Sequence, residues 1–339
     1  MGTRSGGDCS STVGGQESKL MKMEFTEEQE MLRAAAREFL EKECTEAVVK
    51  AVEAGRSGYS PDLWRKIADL GWLGLVFPPQ FGGSGMSLAD LAVLCEELGR
   101  AMFPGPFVPT AVLGGLTVLA AGGDEQKQRW LARIIEGKEL ISLAMNEPES
   151  GPAGAEAVSV RAARGPGGFV LDGTVLFAQD AAAASSFLVP ARTEQGITLF
   201  LVDAAAKGVT VTRLASTAGD SPCEVVFEGA QVTGAEALGE IDRGWDALAR
   251  SLQVAAVMSA AQMLGAGEGM LKAAADDYAT RRQSGEPEDK YTEEYLSKLR
   301  SDLDACRPAV YEAARNLTAG QSVDFDSAVV KDWREYARD

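Results

Sequence analysis

Residues Phe169–Ala178 read FVLDGTVLFA, so that two short apolar runs flank the pair Asp172-Gly173. An Asp-Gly pair between such runs predicts a β-hairpin, because both residues tolerate the positive φ angles of a tight turn. More short apolar runs surround this segment: Ile141–Met145, Val158–Ala163, Phe187–Arg192, Ile197–Val202, Val209–Leu214 and Val225–Val232. Their regular spacing, with turn residues between them, predicts a middle antiparallel β-barrel domain over residues 140–240, or a small sandwich.

The sequence before the β region is helical. Thr26 and Gln29 fit a capping box at the start of one helix, and Ser87 with Asp90 fits the start of another. Further helical segments are Pro61–Leu70, Ala111–Ala121 and Asp124–Glu136. These patterns predict an N-terminal all-α domain over residues 23–139, preceded by a Gly- and Ser-rich disordered tail over residues 1–22.

The sequence after the β region is helical as well. A long Ala- and Met-rich helix is expected from about Gly244 to Thr280, and another from about Thr292 to Thr318, kinked at Pro308. A last amphipathic helix from about Asp324 has an apolar face formed by Val329, Val330, Trp333, Tyr336 and Ala337. The C-terminal helical bundle over residues 241–339 is therefore expected to be incomplete: either a partner chain completes it or the chain is truncated. The predicted fold class is α+β.

The composition argues against several kinds of function. The formal net charge of −17, from 50 acidic and 33 basic side chains, should repel nucleic acids and anionic membranes. The absence of histidine excludes Ser-His and Cys-His catalytic pairs and histidine-ligated metals. The cysteines are scattered without a CxxC pair, which favours reduced thiols in the cytoplasm and no metal site. The sequence shows no apolar run of membrane-spanning length and no secretory signal.

Several strings resemble those of a known family. Leu73–Gly85 reads LGLVFPPQFGGSG, which is similar to the "GL…PEEYGGxG" segment of the acyl-CoA dehydrogenase family. Shorter strings then follow in the order that this family has: Glu97–Ala101 (ELGRA), Asn146–Pro148 (NEP), Leu171–Thr174 (LDGT) and Ala191–Thr193 (ART). Each string alone is common in proteins. Their order along most of the chain is what makes the resemblance specific.

The resemblance implies a particular chemistry. Members of this family bind FAD between the β domain and the C-terminal helices, and they desaturate acyl-CoA thioesters. A glutamate removes the α-hydrogen as a proton, and the β-hydrogen passes as hydride to the flavin. The resemblance thus implies FAD as cofactor and an acyl-CoA substrate. It also implies a homo- or hetero-oligomer with a related subunit and electron-transfer flavoprotein as electron acceptor.

The first flavin segment of the family, TEPxAGSD, is matched by NEPESGPA at residues 146–153. The resemblance implies cofactor contacts from Leu143, Met145, Asn146 and Gly151, and Asn146 retains a hydrogen-bonding side chain. Pro152 stands where the family has serine, and it has no N–H to donate. The alternative is that this segment is only a strand end followed by a proline turn.

Two further flavin segments are implied. The family's GTKxWIT is matched by GTVLFAQ, with Phe177 in place of the indole and Gln179 in place of the hydroxyl. The alternative is that Phe177 is a core residue of its strand. The family's RxxFG is matched by Arg281 and Arg282, followed by Ser284 instead of phenylalanine. The two arginines could bind the pyrophosphate of a neighbouring subunit's FAD, or they could simply end a solvated helix.

The catalytic base of the family has no match in this sequence. One group of the family places its glutamate where this chain has Ala255 and Ala256, and the later position used by the other group lies beyond Asp339. No catalytic residue is therefore assigned. The leading hypothesis is a subunit of an FAD-dependent acyl-CoA dehydrogenase whose partner supplies the base. The alternatives are a conventional acyl-CoA dehydrogenase with a truncated chain, and a non-enzymatic acyl-CoA-binding or assembly protein.

Overall fold

The computed structural model describes residues 25–55, 58–145, 154–215, 222–285, 287 and 289–321. The tail expected over residues 1–22 and the last helix expected from about Asp324 lie outside these residues. Within them, helices are followed by strands and then by helices again, as predicted. The α+β fold class is confirmed.

The N-terminal part of the described chain is helical. Its elements are α1 (Glu27–Glu43), α2 (Glu46–Ala54), α3 (Pro61–Asp69), α4 (Leu88–Arg100), a π-helical turn (Val108–Gly114), α5 (Gly115–Ala121) and α6 (Asp124–Ile135). The Thr26 hydroxyl accepts a hydrogen bond from the Gln29 N–H at 3.2 Å, and the Ser87 hydroxyl accepts one from the Asp90 N–H at 3.3 Å. Both predicted capping boxes are therefore confirmed. Sequence reasoning missed α2, in which no residue is buried.

The loop Leu73–Gly85 between α3 and α4 folds back on itself. The Phe77 carbonyl accepts a hydrogen bond from the Gly85 N–H at 2.9 Å, and the Phe77 ring is fully buried. A Cβ atom at Gly83 would overlap the carbonyl oxygens of Phe77 and Gly74. Glycine is therefore required at position 83 because the backbone passes too close for any side chain.

The strands form one sheet. They are β1 (Ile141–Leu143), β2 (Arg161–Gly165), β3 (Gly168–Ala178), β4 (Ser186–Arg192), β5 (Ile197–Asp203), β6 (Val209–Arg213), β7 (Cys223–Thr233) and β8 (Ala237–Leu238). The order is β6-β7-β3-β2-β4-β5-β8, and β1 pairs with β4. Most neighbours are antiparallel, but β1 and β2 pair with β4 in parallel. The sequence pattern did not reveal these parallel pairs, because side-chain alternation is the same in both orientations.

The hairpin predicted at Asp172-Gly173 is wrong. Both residues lie inside the continuous strand β3, where the pairing with β7 shifts register between Leu171 and Gly173. The Asp172 carboxylate accepts a hydrogen bond from the Gly229 N–H of β7 at 2.8 Å, so it fastens a bulge rather than a turn. The chain instead reverses direction between β2 and β3 at Pro166-Gly167, with Gly167 at a φ of 86°.

The C-terminal part of the described chain is a helical hairpin, α7 (Trp245–Gln283) and α8 (Lys290–Thr318), and α8 continues through Pro308. By length and composition α7 is a candidate membrane span, but 44% of its apolar window is buried inside the protein, as in a core helix. It packs closely on α4, since a Cβ atom at Gly99 would overlap Gln262 and one at Gly265 would overlap Glu96. The N- and C-terminal helices therefore share one core.

A buried ionic network fastens these helices together. Glu97 of α4 receives two hydrogen bonds from Arg37 of α1, at 2.6 and 3.0 Å. The neighbouring Glu96 accepts hydrogen bonds from Arg307 of α8 at 3.2 and 3.3 Å, and Glu268 of α7 is paired with the same Arg307. Because both glutamates of α4 are buried, their charges depend on these partners. The network thus fixes how the C-terminal hairpin sits on the N-terminal helices.

Candidate flavin site

A bulge at the end of β3 pushes two apolar side chains out of the sheet. Val175 pairs with Val225 and Ala178 with Cys223, so β3 has one more residue than β7 over this interval. The side chains in this interval are those of Leu176, 43% exposed, and Phe177, 56% exposed. Bulges of this kind re-aim side chains and are common beside functional sites. The bulge therefore presents an aromatic ring at the surface.

The alternative that Phe177 is a core residue of its strand is wrong, because its ring is more than half exposed. Its backbone has a φ of 59°, in the left-handed region that aromatic residues rarely occupy. A strained residue of this kind persists only where the surrounding structure enforces it, and such residues cluster at functional sites. Phe177 thus combines exposure, strain and an aromatic face that could stack on a planar ligand.

The first predicted flavin segment lies partly beside this bulge. The Ser142 hydroxyl of β1 donates a 2.7 Å hydrogen bond to the Gln179 carbonyl, which joins β1 to the residues after β3. The Gln179 side chain is exposed. Leu143 is half-buried and Met145 is buried in the apolar core. Asn146 and Gly151 lie outside the described residues.

Asp180 follows Gln179 and is a titratable group that sequence reasoning missed. Burial raises the pKa of its carboxyl to about 6. Its backbone is also left-handed, with a φ of 55°. Two left-handed residues, Phe177 and Asp180, therefore bracket Gln179. Residue type alone gave no signal for this, because the positive φ follows from the bulge and from the packing around it.

A π-helical turn packs against β1. The Thr110 hydroxyl accepts a hydrogen bond from the Ile141 N–H at 3.0 Å and donates one to the Ile141 carbonyl at 3.2 Å. A Cβ atom at Gly114 would touch the Ile141 side chain. π-Helical turns are rare and are often found at functional sites. Sequence reasoning predicted an ordinary helix here, although Pro109 and the pair Gly114-Gly115 are signals of irregular backbone.

The helix α7 has no carboxylate where one group of the family has its base. Ala255 is buried in the helical core, and Ala256 is exposed. Between residues 245 and 272 the acidic side chains of α7 are Asp246 and Glu268. Asp246 is in the first turn, and Glu268 is ion-paired with Arg100 and Arg307. Neither is close along the helix to position 255.

The two arginines of the third predicted flavin segment lie in the last turn of α7. Arg281 forms a 3.0 Å ion pair with Asp277, and its guanidinium lies 6.0 Å from the ring centroid of Tyr278. Both arginines are exposed. They thus occupy the tip of the α7–α8 hairpin, a different part of the molecule from the Phe177 bulge in the sheet.

Comparison with known proteins identifies the family. The profiles of the acyl-CoA dehydrogenase N-terminal, middle and C-terminal domains match residues 26–138, 142–230 and 242–334. The chain belongs to the acyl-CoA dehydrogenase family. Its fold and the order of its motifs, read from the sequence, agree with this membership.

Individual relatives and a solved structure are similar over most of the chain. The 3-(aryl)acrylate reductase of Clostridium sporogenes is 28% identical, covering 91% of this chain and 84% of its own length. The caffeyl-CoA reductase-Etf complex subunit CarC of Acetobacterium woodii is 27% identical, with coverages of 91% and 84%. The ChsE4-ChsE5 complex from Mycobacterium tuberculosis has a chain that is 27% identical with a TM-score of 0.77, covering 87% of this chain and 79% of that one.

Proposed function

We propose that this chain is a subunit of an FAD-dependent acyl-CoA dehydrogenase, and that a partner subunit supplies the catalytic base. The proposed reaction is desaturation of the Cα–Cβ bond of an acyl-CoA thioester. The observation that carries the proposal is the exposed, strained Phe177 on the β3 bulge. The resemblance matches this residue to the family's flavin-stacking indole.

The residues at the bulge fit an isoalloxazine ring. The ring of Phe177 offers an aromatic face, and Leu176 beside it adds apolar surface. Ser142 holds the Gln179 backbone in place, which leaves the Gln179 side-chain amide free to face a cofactor as donor or acceptor. When bound there, FAD would supply the hydride-accepting chemistry of the family. Leu143, Asn146 and Gly151 complete the cofactor contacts that we assign, while Met145, buried in the core, would support them from behind.

A second contact with flavin is proposed to form between subunits. Arg281 and Arg282 project from the tip of the α7–α8 hairpin, where guanidinium groups can reach a neighbouring chain. A guanidinium binds pyrophosphate through two parallel hydrogen bonds. We assign these arginines to the FAD held by another subunit. The proposal requires Arg281 to exchange its ion pair with Asp277 for a phosphate.

We propose the division of labour on the basis of α7. Removal of an α-proton requires a positioned base, and position 255 is a buried alanine. We therefore assign the base to the partner subunit. The ChsE4-ChsE5 complex supports such an assembly, because one of its chains shares this fold across most of its length. The two reductase relatives support oxidoreduction as the reaction class.

The remaining assignments rest on the family. An electron-transfer flavoprotein is the proposed electron acceptor, and the Etf complex named for the CarC relative supports it. A cytoplasmic location is proposed, and it is supported by described cysteines that form no disulfide. Acyl-CoA is the proposed substrate class.

The flavin contact is tested by titrating FAD into the chain with and without its partner subunit, and by following flavin fluorescence. Phe177→Ala should weaken FAD binding by at least about tenfold, the loss expected for one aromatic stacking contact. Leu176→Ala on the same bulge is the matched comparison, because it removes apolar surface from the proposed site but no aromatic face, and it should weaken the affinity by less than about threefold. Equal effects of the two substitutions would contradict a stacking role. CoA-ester binding without any FAD binding would favour the non-enzymatic alternative.

A further inference from the structure

The backbone conformation of Phe177 is costly. In the part of the chain that the structure describes, four non-glycine residues have a positive φ, and two of them, Phe177 and Asp180, lie within two positions of Gln179. Aspartate tolerates the left-handed region because its short side chain can bond to the local backbone, but an aromatic residue does so rarely. The strain in this segment therefore lies mainly at Phe177, and it persists only where the surrounding structure enforces it.

The sheet fixes the two ends of the bulge that carries Phe177. Val175 pairs with Val225 before the bulge. After the bulge, Ala178 pairs with Cys223, and both of these residues are buried in the core of the sheet. The ladder is disrupted between these two pairs, so it does not by itself select the conformation of the residues inside the bulge. A further contact is needed to hold Phe177 in the left-handed region.

A buried hydroxyl provides a fixed point directly after the bulge. Ser142 of β1 is fully buried, and its hydroxyl donates a 2.7 Å hydrogen bond to the Gln179 carbonyl. Ser142 is itself held in the sheet, because it pairs with Phe187 of β4. Since φ and ψ are the only soft torsions of each residue, a relaxed φ at Phe177 would displace the Gln179 carbonyl two residues later. The hydrogen bond therefore favours the conformation that Phe177 adopts.

The residue type at position 142 agrees with such a role. Ser142 lies between Ile141 and Leu143 in a strand that packs into the apolar core. A buried hydroxyl costs free energy unless it forms a hydrogen bond, whereas alanine would fill a similar volume without this cost. The hydroxyl of Ser142 is thus used for its contact with the Gln179 carbonyl.

We propose that Ser142 is a positioning residue, whose hydroxyl holds Phe177 in the left-handed conformation that exposes the ring for stacking on the flavin. The hydroxyl is buried and acts through the Gln179 carbonyl rather than by touching the cofactor. The purpose of this positioning rests on the proposed function. The coupling between Ser142 and Phe177 belongs to the chain without cofactor, so it is measured without flavin and can fail separately.

The test is hydrogen–deuterium exchange of the full chain without flavin, read on peptides that cover residues 174–181. Ser142→Ala should raise the exchange rate of this segment about tenfold, the effect of losing one buried hydrogen bond. Ser186→Ala is the matched control, because Ser186 is a buried serine of the same sheet whose hydroxyl donates to Glu139 at 2.7 Å. It should change the exchange of residues 174–181 by less than about twofold. Native exchange in Ser142→Ala, or an equal rise in Ser186→Ala, would overturn the proposal.

A double variant tests whether the hydrogen bond opposes strain at Phe177. Asparagine enters the left-handed region more readily than phenylalanine does. Phe177→Asn combined with Ser142→Ala should therefore return the exchange rate to within about threefold of the native rate. If the double variant exchanged as fast as Ser142→Ala alone, strain at Phe177 would not be what Ser142 opposes, and the proposal would be wrong.

Ser142→Cys separates the hydrogen bond from the filling of space. The thiol occupies the position of the hydroxyl but is a weak hydrogen-bond donor. Its exchange rate should lie between those of the native chain and Ser142→Ala. Exchange as slow as in the native chain would show that a filled position is sufficient, which would overturn the role of the hydrogen bond.

Flavin titration links this coupling to the site. Ser142→Ala should weaken FAD binding, but Ser142→Ala with Phe177→Ala should bind no more weakly than Phe177→Ala alone, because both substitutions act through the same ring. Additive losses would show that Ser142 acts elsewhere and would contradict the proposal. If the native chain bound no FAD, the proposed function would fail, while the exchange rates would still decide whether Ser142 holds Phe177.

Discussion

Tyr311 of α8 donates a 2.6 Å hydrogen bond to the buried carboxylate of Glu96 in α4. Burial raises the pKa of the Tyr311 hydroxyl, and the charge of Glu96 raises it further, so the group remains a proton donor at every physiological pH. The contact joins residues that are 215 positions apart in the sequence. The hydrogen bond therefore links α8, the last described helix, to α4 among the N-terminal helices.

Glu96→Gln should destabilise the protein by about 3 kcal/mol, because it leaves the cations of Arg307 and Arg33 buried with less compensating charge. Tyr311→Phe should cost about 1–2 kcal/mol, the value of a hydrogen bond to a charged group. Urea unfolding of each variant measures these losses in the free energy of unfolding. Asp62→Asn, which breaks an exposed ion pair with Arg65, is the control and should cost less than about 1 kcal/mol. Equal effects at positions 62 and 96 would contradict the role of the buried network.

Asp180 should make stability depend on pH in a defined window. Its pKa is about 6 in the folded chain and lower in the unfolded chain, so the folded state binds more protons between about pH 4 and 6. Stability therefore falls as the pH rises through this window. Asp180→Asn should remove that fall and stabilise the protein at pH 7 by about 2 kcal/mol, allowing for partial exposure. Thermal unfolding of the native protein and of Asp180→Asn from pH 4 to 8 measures how stability depends on pH. The same pH dependence in both proteins would contradict the raised pKa of Asp180.

Gly83→Ala should destabilise the protein by about 2–4 kcal/mol, because the added Cβ overlaps backbone atoms that have no room to move. Gly123→Ala is the matched control. A Cβ at Gly123 meets nothing within 4 Å, and this glycine has an ordinary negative φ at the start of α6. Its substitution should change stability by less than about 1 kcal/mol. Denaturant unfolding measures the stability of the two variants. If Gly83→Ala were as stable as the native protein, the backbone of Phe77 and Gly74 could not lie as close to position 83 as the structure shows.

Phe177→Ala should change the free energy of unfolding by less than about 1 kcal/mol, because the ring is exposed and contributes little to the core. Phe187→Ala in the buried part of the sheet should cost about 3–5 kcal/mol. The contrast separates a binding residue from a packing residue of the same type. A large loss of stability from Phe177→Ala would show that the ring serves the fold rather than a ligand.

The sequence predicted the features that depend on local periodicity. The capping boxes at Thr26 and Ser87 and the start of α7 near Gly244 follow from residues within a few positions of each other. The features that it missed depend on distant contacts. Asp172-Gly173 became a bulge because Gly229 of β7 pairs with it, and Glu96 is buried because Arg307 and Tyr311 come from far along the chain.

The site residues stay predictions. The motif indicated Phe177 as a candidate, but the exposure of this side chain follows from the register of β3 against β7, which no local pattern contains. The raised pKa of Asp180 likewise follows from burial by neighbouring elements. The sequence alone showed that positions 255 and 256 are alanines, because the type of residue at a position does not depend on the fold.

We propose above that this chain keeps a flavin-stacking surface but needs a partner for catalysis. The direct test is to purify the chain alone and together with its partner subunit, and to measure bound FAD and acyl-CoA desaturation in each sample. We expect desaturation only in the complex, with little or no turnover by the isolated chain. Stoichiometric FAD and full desaturase activity in the isolated chain would contradict it.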